Sequence, residues 1–473
     1  MRNSQNAENL GTGSCPPVDT RQHKGNGNGS TGISLIEPAR VTTDFATLPD
    51  GTFLELVRPE DSAANALKFL ARNGKSSSIV DRFEHRGRLI TPPSLDAKAH
   101  GNLNLRLPTG ISEATATASE IFARICDRLR DYIDLPEPSL CLVVAFALST
   151  WLIDKLPVAP YLSITGPPES GKTTLLRWLH CLCRRAVLVA GRIDAAVYSL
   201  PALLRPTLLL DEVNFTATHK DQFFECWLRA GNVPGVLVPM GGQLVDAYGA
   251  KVLCSRRPVT DAALASRMLH IAMVPAKRRL ELTCEQTLQV TASTFQPMLL
   301  MLRLLLYEQV DSLKVPVLSS FFPRMQDLQR ALMVAFWEDR GNVPSLGPAL
   351  SEQELDARVK KHTEPEGLII NALFAVCHED GRSRLLVGHL AQRINTTRKS
   401  LREEADMTPR AVGAILKCLG LQTEVIGSFG RGLRLTTECR ERIHDLFEVY
   451  RLQPSSRTIA GCSLCKKRFE ETE

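Results

Sequence analysis

Tyr161-Leu-Ser-Ile-Thr165, followed by Gly166-Pro-Pro-Glu-Ser-Gly171-Lys172-Thr173-Thr174, decides the fold, because it reads as a buried strand, a glycine-bearing turn and a helix start in unbroken order. In the pattern G-x-x-x-x-G-K-[ST] the glycines let backbone N–H groups turn inward around an anion. Gly166, Pro167, Pro168, Glu169, Ser170, Gly171, Lys172, Thr173 and Thr174 are therefore expected to cradle the phosphates of ATP. Lys172 would reach the β and γ groups, and the Thr173 hydroxyl would ligate Mg²⁺. The helix beginning at Thr174-Leu-Leu-Arg-Trp adds its positive N-terminal end to the same anion.

A second buried-strand pattern, Pro206-Thr-Leu-Leu-Leu-Asp211-Glu212, ends in two acids. Apolar residues bury such a strand inside a parallel sheet, and an Asp at its C-terminal end holds the Mg²⁺ shell. Asp211 takes that place, and Glu212 is the group able to polarise an attacking water. The two halves agree in order and context, so an accidental glycine-rich turn is a poor explanation. The Asp-Glu pair and the large helical extension that follows also disfavour a small-molecule kinase.

The remaining strands of this core, residues 157–274, read as Ala186 to Val189, Lys251 to Ser255 and Leu269 to Met273, with helices between them. Such βα alternation predicts an α/β P-loop NTPase with a parallel, doubly wound sheet. Glu113 to Asp134 and Ser139 to Lys155 have helical apolar spacing, broken at Pro136 and Pro138, and make a helical lead-in over 111–156. Residues 275–350 suit a helical lid.

At 473 residues and 44% hydrophobic content the chain has material for two or three cores. Residues 1–32 have little to bury and are expected to be a disordered tail. Residues 33–110 read as a small α+β module of unknown role, with a strand at Gly51 to Val57 and a helix around Ser62 to Asn73. No apolar run reads as approaching the roughly eighteen residues of a membrane span, and the polar N-terminus has no signal-peptide pattern. The thirteen cysteines are an odd number scattered through helix and strand patterns, which predicts reduced core thiols and a cytoplasmic location. A net charge of +6 is compatible with nucleic-acid binding.

Residues 351–452 carry a helix at Gly367 to Cys377, another around Gly388 to Ile394, and a sharply capped one, Thr408-Pro409-Arg410 to Gly420. Thr at the N-cap, Pro at the first helical position and Gly just past the end fit helix asymmetry. Two strand patterns follow, Thr423 to Ile426 and Leu433 to Thr436, giving a winged-helix-like order. Arg410, Lys417, Arg431 and Arg434 form a basic helix-plus-wing set, the candidate DNA-binding residues, although Glu403, Glu404, Asp406 and Glu424 lie in the same stretch. The last residues, 453–473, read as a flexible basic tail. Within them Cys462-Ser-Leu-Cys465 is half of a zinc site, whose other ligands could be Cys439 and His444 only if the helix folds back. His180 is expected to be a packed or surface residue.

Between the strand ending at Asp211 and the next core strand, Gly235-Val-Leu-Val-Pro-Met240-Gly241-Gly242-Gln243-Leu-Val-Asp246 predicts a hairpin. Taken with the two nucleotide motifs, residues 157–274 resemble an AAA+ P-loop ATPase of the superfamily 3 type. The run from about 120 to 450 is similar to the primase-helicase-like ATPases of phages, plasmids and integrated elements. That resemblance implies a channel hairpin at Gly235–Asp246, a sensor at Ser255, and Arg267 or the Arg256/Arg257 pair donated to a neighbouring subunit. It also implies ATP hydrolysis in a homo-oligomeric ring, such as a hexamer, with DNA and replication proteins as partners and no membrane. The chain departs from the pattern at the hairpin tip, which has no Lys or Arg, and at Cys254 and Ser255, where Asn or Thr is usual. No primase constellation of spaced acids precedes residue 150. The alternative is a DNA-binding nucleotide switch that does not translocate.

Overall fold

Between Ala39 and Thr91 every described element is a strand, where an α+β module was expected. The computed structural model describes residues 39–60, 66–95, 103–191, 193, 195–213, 219–337, 346–379, 381–401, 406–452 and 462–469; the expected disordered tail lies outside them. β1 (Ala39–Thr42), β7 (Arg88–Thr91) and β6 (Phe83–His85) make one small sheet, while β2 (Phe45–Thr47), β3 (Phe53–Val57), β4 (Lys68–Asn73) and β5 (Ser76–Val80) make an antiparallel meander. The helix expected around 62–73 is therefore corrected to a strand over its described C-terminal half. Phe69, Leu70 and Ala71 are all buried, so both faces of β4 are covered. A strand buried on both faces is a continuous apolar run, which periodicity cannot distinguish from a helix.

Five apolar runs then form one parallel sheet: β8 (Tyr161–Thr165), β9 (Val187–Ala190), β10 (Leu208–Asp211), β13 (Lys251–Ser255) and β14 (Met268–Ala272), in the order β14-β8-β13-β10-β9. Full burial of Leu208, Leu209 and Leu210 is what parallel strands covered on both faces require. β11 (Leu237–Met240) and β12 (Gln243–Asp246) stand apart as the expected hairpin, with Met240 opposite Gln243. Gly241 and Gly242 have φ of 57° and 82°, the left-handed pair that a two-residue hairpin turn needs. At the hairpin's base Lys251 is fully buried, its amine donating to the carbonyls of Ala247 and Gly249 at 2.7 and 3.0 Å and to the Tyr161 hydroxyl at 3.1 Å. Burial brings its pKa down to about 7.

The helices described in this unit up to Met333 are α1 (Ala118–Arg130), α2 (Glu137–Ser149), α3 (Lys172–Leu182), α4 (Ala195–Leu204), α5 (His219–Ala230), α6 (Ala262–Ala265), α7 (Glu285–Leu306) and α8 (Pro323–Met333). A reciprocal box starts α1: Thr117 accepts from the Glu120 N–H, and Glu120 accepts from the Thr117 N–H. Against expectation, the run Glu137–Lys155 is long and apolar enough by composition to cross a membrane. Most of it is buried inside the protein, with every residue from Leu140 to Ile153 covered. A core helix passes the same compositional test as a membrane span.

The N-terminal strands are fastened to this core by buried charges. Glu55 on β3 receives Arg184 Nη2 at 2.9 Å, Arg303 Nε at 2.8 Å and also Arg185, all at 2% exposure or less. Asp44, between β1 and β2, pairs with Arg185 and with Arg205, whose Nε lies 3.0 Å away. Arg303 also makes a two-pronged contact with Asp154 at 2.7 and 2.9 Å. Burial alone would raise these carboxyls, but Arg185 and its neighbours hold Asp44 and Glu55 down at about 2.

The chain divides into two compact units after Ser351. Helix α9 (Leu346–Thr363) runs across the division, and the second unit continues with α10 (Pro365–Cys377), β15 (Arg384–Leu386), α11 (Val387–Ser400), α12 (Pro409–Cys418), β16 (Glu424–Val425), β17 (Arg431–Arg434), α13 (Thr437–Val449) and α14 (Ser463–Phe469). Its sheet has the order β15-β17-β16, antiparallel throughout. The strand β15 is an addition to the expected order, and α14, with Cys465 fully buried, stands where a flexible tail was expected. The caps of α12 are as read: Thr408 accepts from the Ala411 N–H, and Gly420, at φ 77°, is followed by a Leu421 N–H bonded to the Leu416 carbonyl.

Candidate nucleotide site

β8 delivers the chain into the glycine-rich turn, and a backbone contact fixes where that turn begins. The Met273 N–H donates to the Thr165 carbonyl at 2.7 Å, and a Cβ on Gly166 would lie 2.3 Å from the Met273 oxygen. Only glycine fits there. Pro167, Pro168 and Glu169 form the exposed crest of the loop, Ser170 is buried with its hydroxyl on the Pro167 carbonyl at 2.9 Å, and Gly171 turns at φ 85° into α3. The N–H groups of Lys172, Thr173 and Thr174 lie in the first turn of α3, where intrahelical acceptors are lacking.

Lys172 curls over the loop, its amine donating to the carbonyls of Gly166 at 2.9 Å and Pro167 at 2.6 Å and to the Ser170 hydroxyl at 3.2 Å. Those acceptors are of the kind it would exchange for phosphate oxygens. The Thr173 hydroxyl donates to Asp211 Oδ2 at 2.8 Å, joining the loop to the end of β10. A hydroxyl and a carboxylate in contact are the hard oxygen donors that Mg²⁺ takes alongside phosphate. The residues present fit Mg²⁺ and a triphosphate.

Asp211 accepts the Glu212 N–H through Oδ1 at 2.9 Å, and Glu212 follows with φ 56°, a left-handed conformation costly for a residue with a Cβ. Its side chain is exposed. β13 lies between β8 and β10, so its C-terminal end abuts both Thr165 and the acid-bearing strand. There burial, with Asp211 nearby, pushes the Cys254 thiol up to about 12, keeping it neutral. The Ser255 hydroxyl donates to the Arg257 carbonyl at 2.6 Å, so it braces the turn that follows the strand. Arg256 and Arg257 are exposed at this same end of the sheet.

Arg267 is placed differently. It precedes β14, whose first residue pairs with Tyr161 and whose last pairs with Thr165. Four residues of strand put Arg267 roughly 13 Å or more along the sheet from the loop. It lines a cleft with Arg324, Asp327 and Asn232, and it donates to the Ala263 carbonyl, as Arg324 does at 3.0 Å. The structure thus brings together Gly166–Thr174, Asp211, Glu212 and Ser255 and leaves Arg267 outside that group. His180 is buried on the Asn104 carbonyl at 2.7 Å, and burial lowers its pKa to about 4.

Arg410 and Lys417 are exposed on α12, and Arg431 and Arg434 on β17. Arg434 is paired with Glu424, and Arg431 is bound to the Thr423 carbonyl at 2.6 Å and hydroxyl at 3.2 Å. Glu403 and Glu404 lie outside the described residues.

No protein-family model matches the chain, and no curated protein matches it. Among solved structures, the apo C-terminal region of NrS-1 is 11% identical with a TM-score of 0.35, the alignment covering 81% of this chain and 96% of that one. The JCV helicase is 17% identical at a TM-score of 0.24, covering 50% and 70%. Drosophila ORC bound to DNA is 14% identical at 0.20, covering 74% and 98%. These likenesses are slight.

Proposed function

We propose that this chain is an AAA+ type P-loop ATPase that works on DNA, of the helicase or translocase kind found in mobile elements. The contact of Thr173 with Asp211 is the observation that carries the reading, since it joins the phosphate loop to the metal-holding acid. When bound, Mg²⁺ and ATP supply a polarised γ-phosphoryl group. Lys172 neutralises its charge, the backbone of Ser170 to Thr174 orients it, and Glu212 accepts a proton from the attacking water.

Completion by a second subunit would account for where the arginines lie. Arg256 and Arg257 are exposed at the nucleotide end of the sheet, while Arg267 is too far away to serve its own chain's ATP. An Arg267 finger is therefore a contribution in trans, the arrangement that a ring provides.

The second unit supports a winged-helix reading: α10, β15, α11, α12, then the β16–β17 hairpin as the wing, with α12 as the helix that meets DNA. Replacing Arg410 and Arg431 together by Ala is expected to weaken binding to a forked oligonucleotide and to reduce the slope of log affinity against log salt by about 2. Fluorescence anisotropy at several salt concentrations measures both. An unchanged affinity and slope in a variant that melts normally would remove DNA from this unit.

The nucleotide-switch alternative is favoured by two observations. The hairpin tip presents Gly241 and Gly242 with an exposed Leu244 and no cation to grip phosphate, and Glu424 occupies Arg434 on the wing. A switch would turn ATP over slowly and show nucleotide-gated DNA affinity.

A further inference from the structure

The half-site Cys462-Ser-Leu-Cys465 finds two partners in the folded second unit. His378, at the C-terminal end of α10, and His444, on α13, meet the two cysteines so that the four ligand atoms lie within 4.8 Å of one another. His378 Nε2 is 3.2 Å from Cys465 Sγ, and His444 Nε2 is 3.5 Å from Cys462 Sγ. The edge of a tetrahedron with Zn–S near 2.3 Å and Zn–N near 2.0–2.1 Å is about 3.5 Å, so these separations match that geometry. Cys439, the alternative partner considered from sequence, is absent from the cluster.

The groups behind the ligands point the same way. His378 Nδ1 lies 2.7 Å from the Phe374 carbonyl, and His444 Nδ1 lies 2.7 Å from the Arg440 carbonyl. A carbonyl can only accept, so each Nδ1 carries the proton and each Nε2 turns its lone pair toward the thiols. That is the outer-shell arrangement which fixes a metal-binding imidazole. Cys465 and His444 are 0% and 1% exposed, and the Phe374 ring packs against both imidazoles and stacks on Phe447. Two thiolates and two neutral imidazoles cancel the charge of a divalent ion, so a buried site of this composition carries no net charge.

We propose that His378, His444, Cys462 and Cys465 hold one structural Zn²⁺ that staples α14 to α10 and α13. Four protein ligands leave no open position, so the ion is structural rather than hydrolytic. A soft N₂S₂ tetrahedral set selects zinc over the hard Mg²⁺ expected at the nucleotide site. The α14 helix is only seven residues long, and the ion ties it to α10 and α13.

The full chain, purified under reducing conditions from zinc-supplemented cells, is expected to contain about one zinc per molecule by elemental analysis. After exchange, Co²⁺ should give visible ligand-field bands and a near-ultraviolet thiolate charge-transfer band. The double substitution Cys462→Ser and Cys465→Ser should lose both the metal and the bands while retaining ATP binding by the other unit. Cys439→Ser should keep both. Trace zinc in the wild type with no Co²⁺ spectrum after reduction would overturn the proposal. So would metal retained by the double variant, or lost equally in Cys439→Ser.

Discussion

Glu212→Gln is expected to keep ATP affinity near that of the wild type and to lower single-turnover hydrolysis by about 10²–10⁴-fold, the range for loss of a positioned general base. The backbone supplies the reason. Asp211 ends a strand whose apolar residues are fully buried, so its carboxylate is fixed beside Thr173. The next residue turns through a left-handed φ of 56° and its side chain is exposed. Strain of this kind persists where the surroundings over-determine it. Gln keeps the length and shape of the side chain and removes only the ability to accept a proton. Fluorescent-ATP binding and a quenched single-turnover assay separate the two properties. Hydrolysis within about twofold of wild type would refute the assignment, because such a change is far below that range.

Glu55→Gln is expected to cost the first unit about 3–5 kcal/mol, the usual effect of removing one partner from a buried ion pair. The variant leaves Arg184, Arg185 and Arg303 facing a neutral amide in a site at 2% exposure or less. The cost also depends on pH. The carboxyls of Glu55 and Asp44 are held at about 2, below their ordinary values of 4.5 and 3.8. An unfolded chain therefore binds more protons than the folded one between those limits, and stability falls as pH drops from about 4.5 toward 2. Denaturant titration at pH 7 should reveal the loss. The gap between wild type and variant should then narrow on acidification. A shift under about 1 kcal/mol with the same acid profile would mean that the cluster does not fasten the N-terminal strands.

How much of this was legible depends on how local each signal is. The core strands could be read because a parallel strand covered on both faces is a run such as Thr207-Leu-Leu-Leu210, and the nucleotide loop could be read because its chemistry sits in consecutive residues. The Gly241-Gly242 turn and the Thr408 cap are similarly local. Lys68-Phe-Leu-Ala-Arg-Asn73 reads as helical although it is a strand, because burial on both faces erases the alternation that distinguishes one. β15 is only three residues long and too short to show a period. Long-range pairings left no trace in spacing: Glu55 and Arg303 are 248 positions apart, and His378 and Cys465 are 87 apart. A Cys-x-x-Cys pair announces half of a site, and only the packing of α10, α13 and α14 identifies the other half. Arg267 shows a further limit, since its neighbourhood in sequence did not reveal that it lies at the far end of the sheet from the phosphate loop.

The most direct test is the ATPase rate with and without single-stranded DNA, measured on wild type and Lys172→Ala together. The reading predicts a several-fold stimulation by DNA, and a fall of about 10²–10³-fold, stimulation included, when the lysine is removed. A Lys172-dependent rate indifferent to DNA would contradict the DNA motor and leave the nucleotide switch. Hydrolysis that survives Lys172→Ala would contradict the site itself.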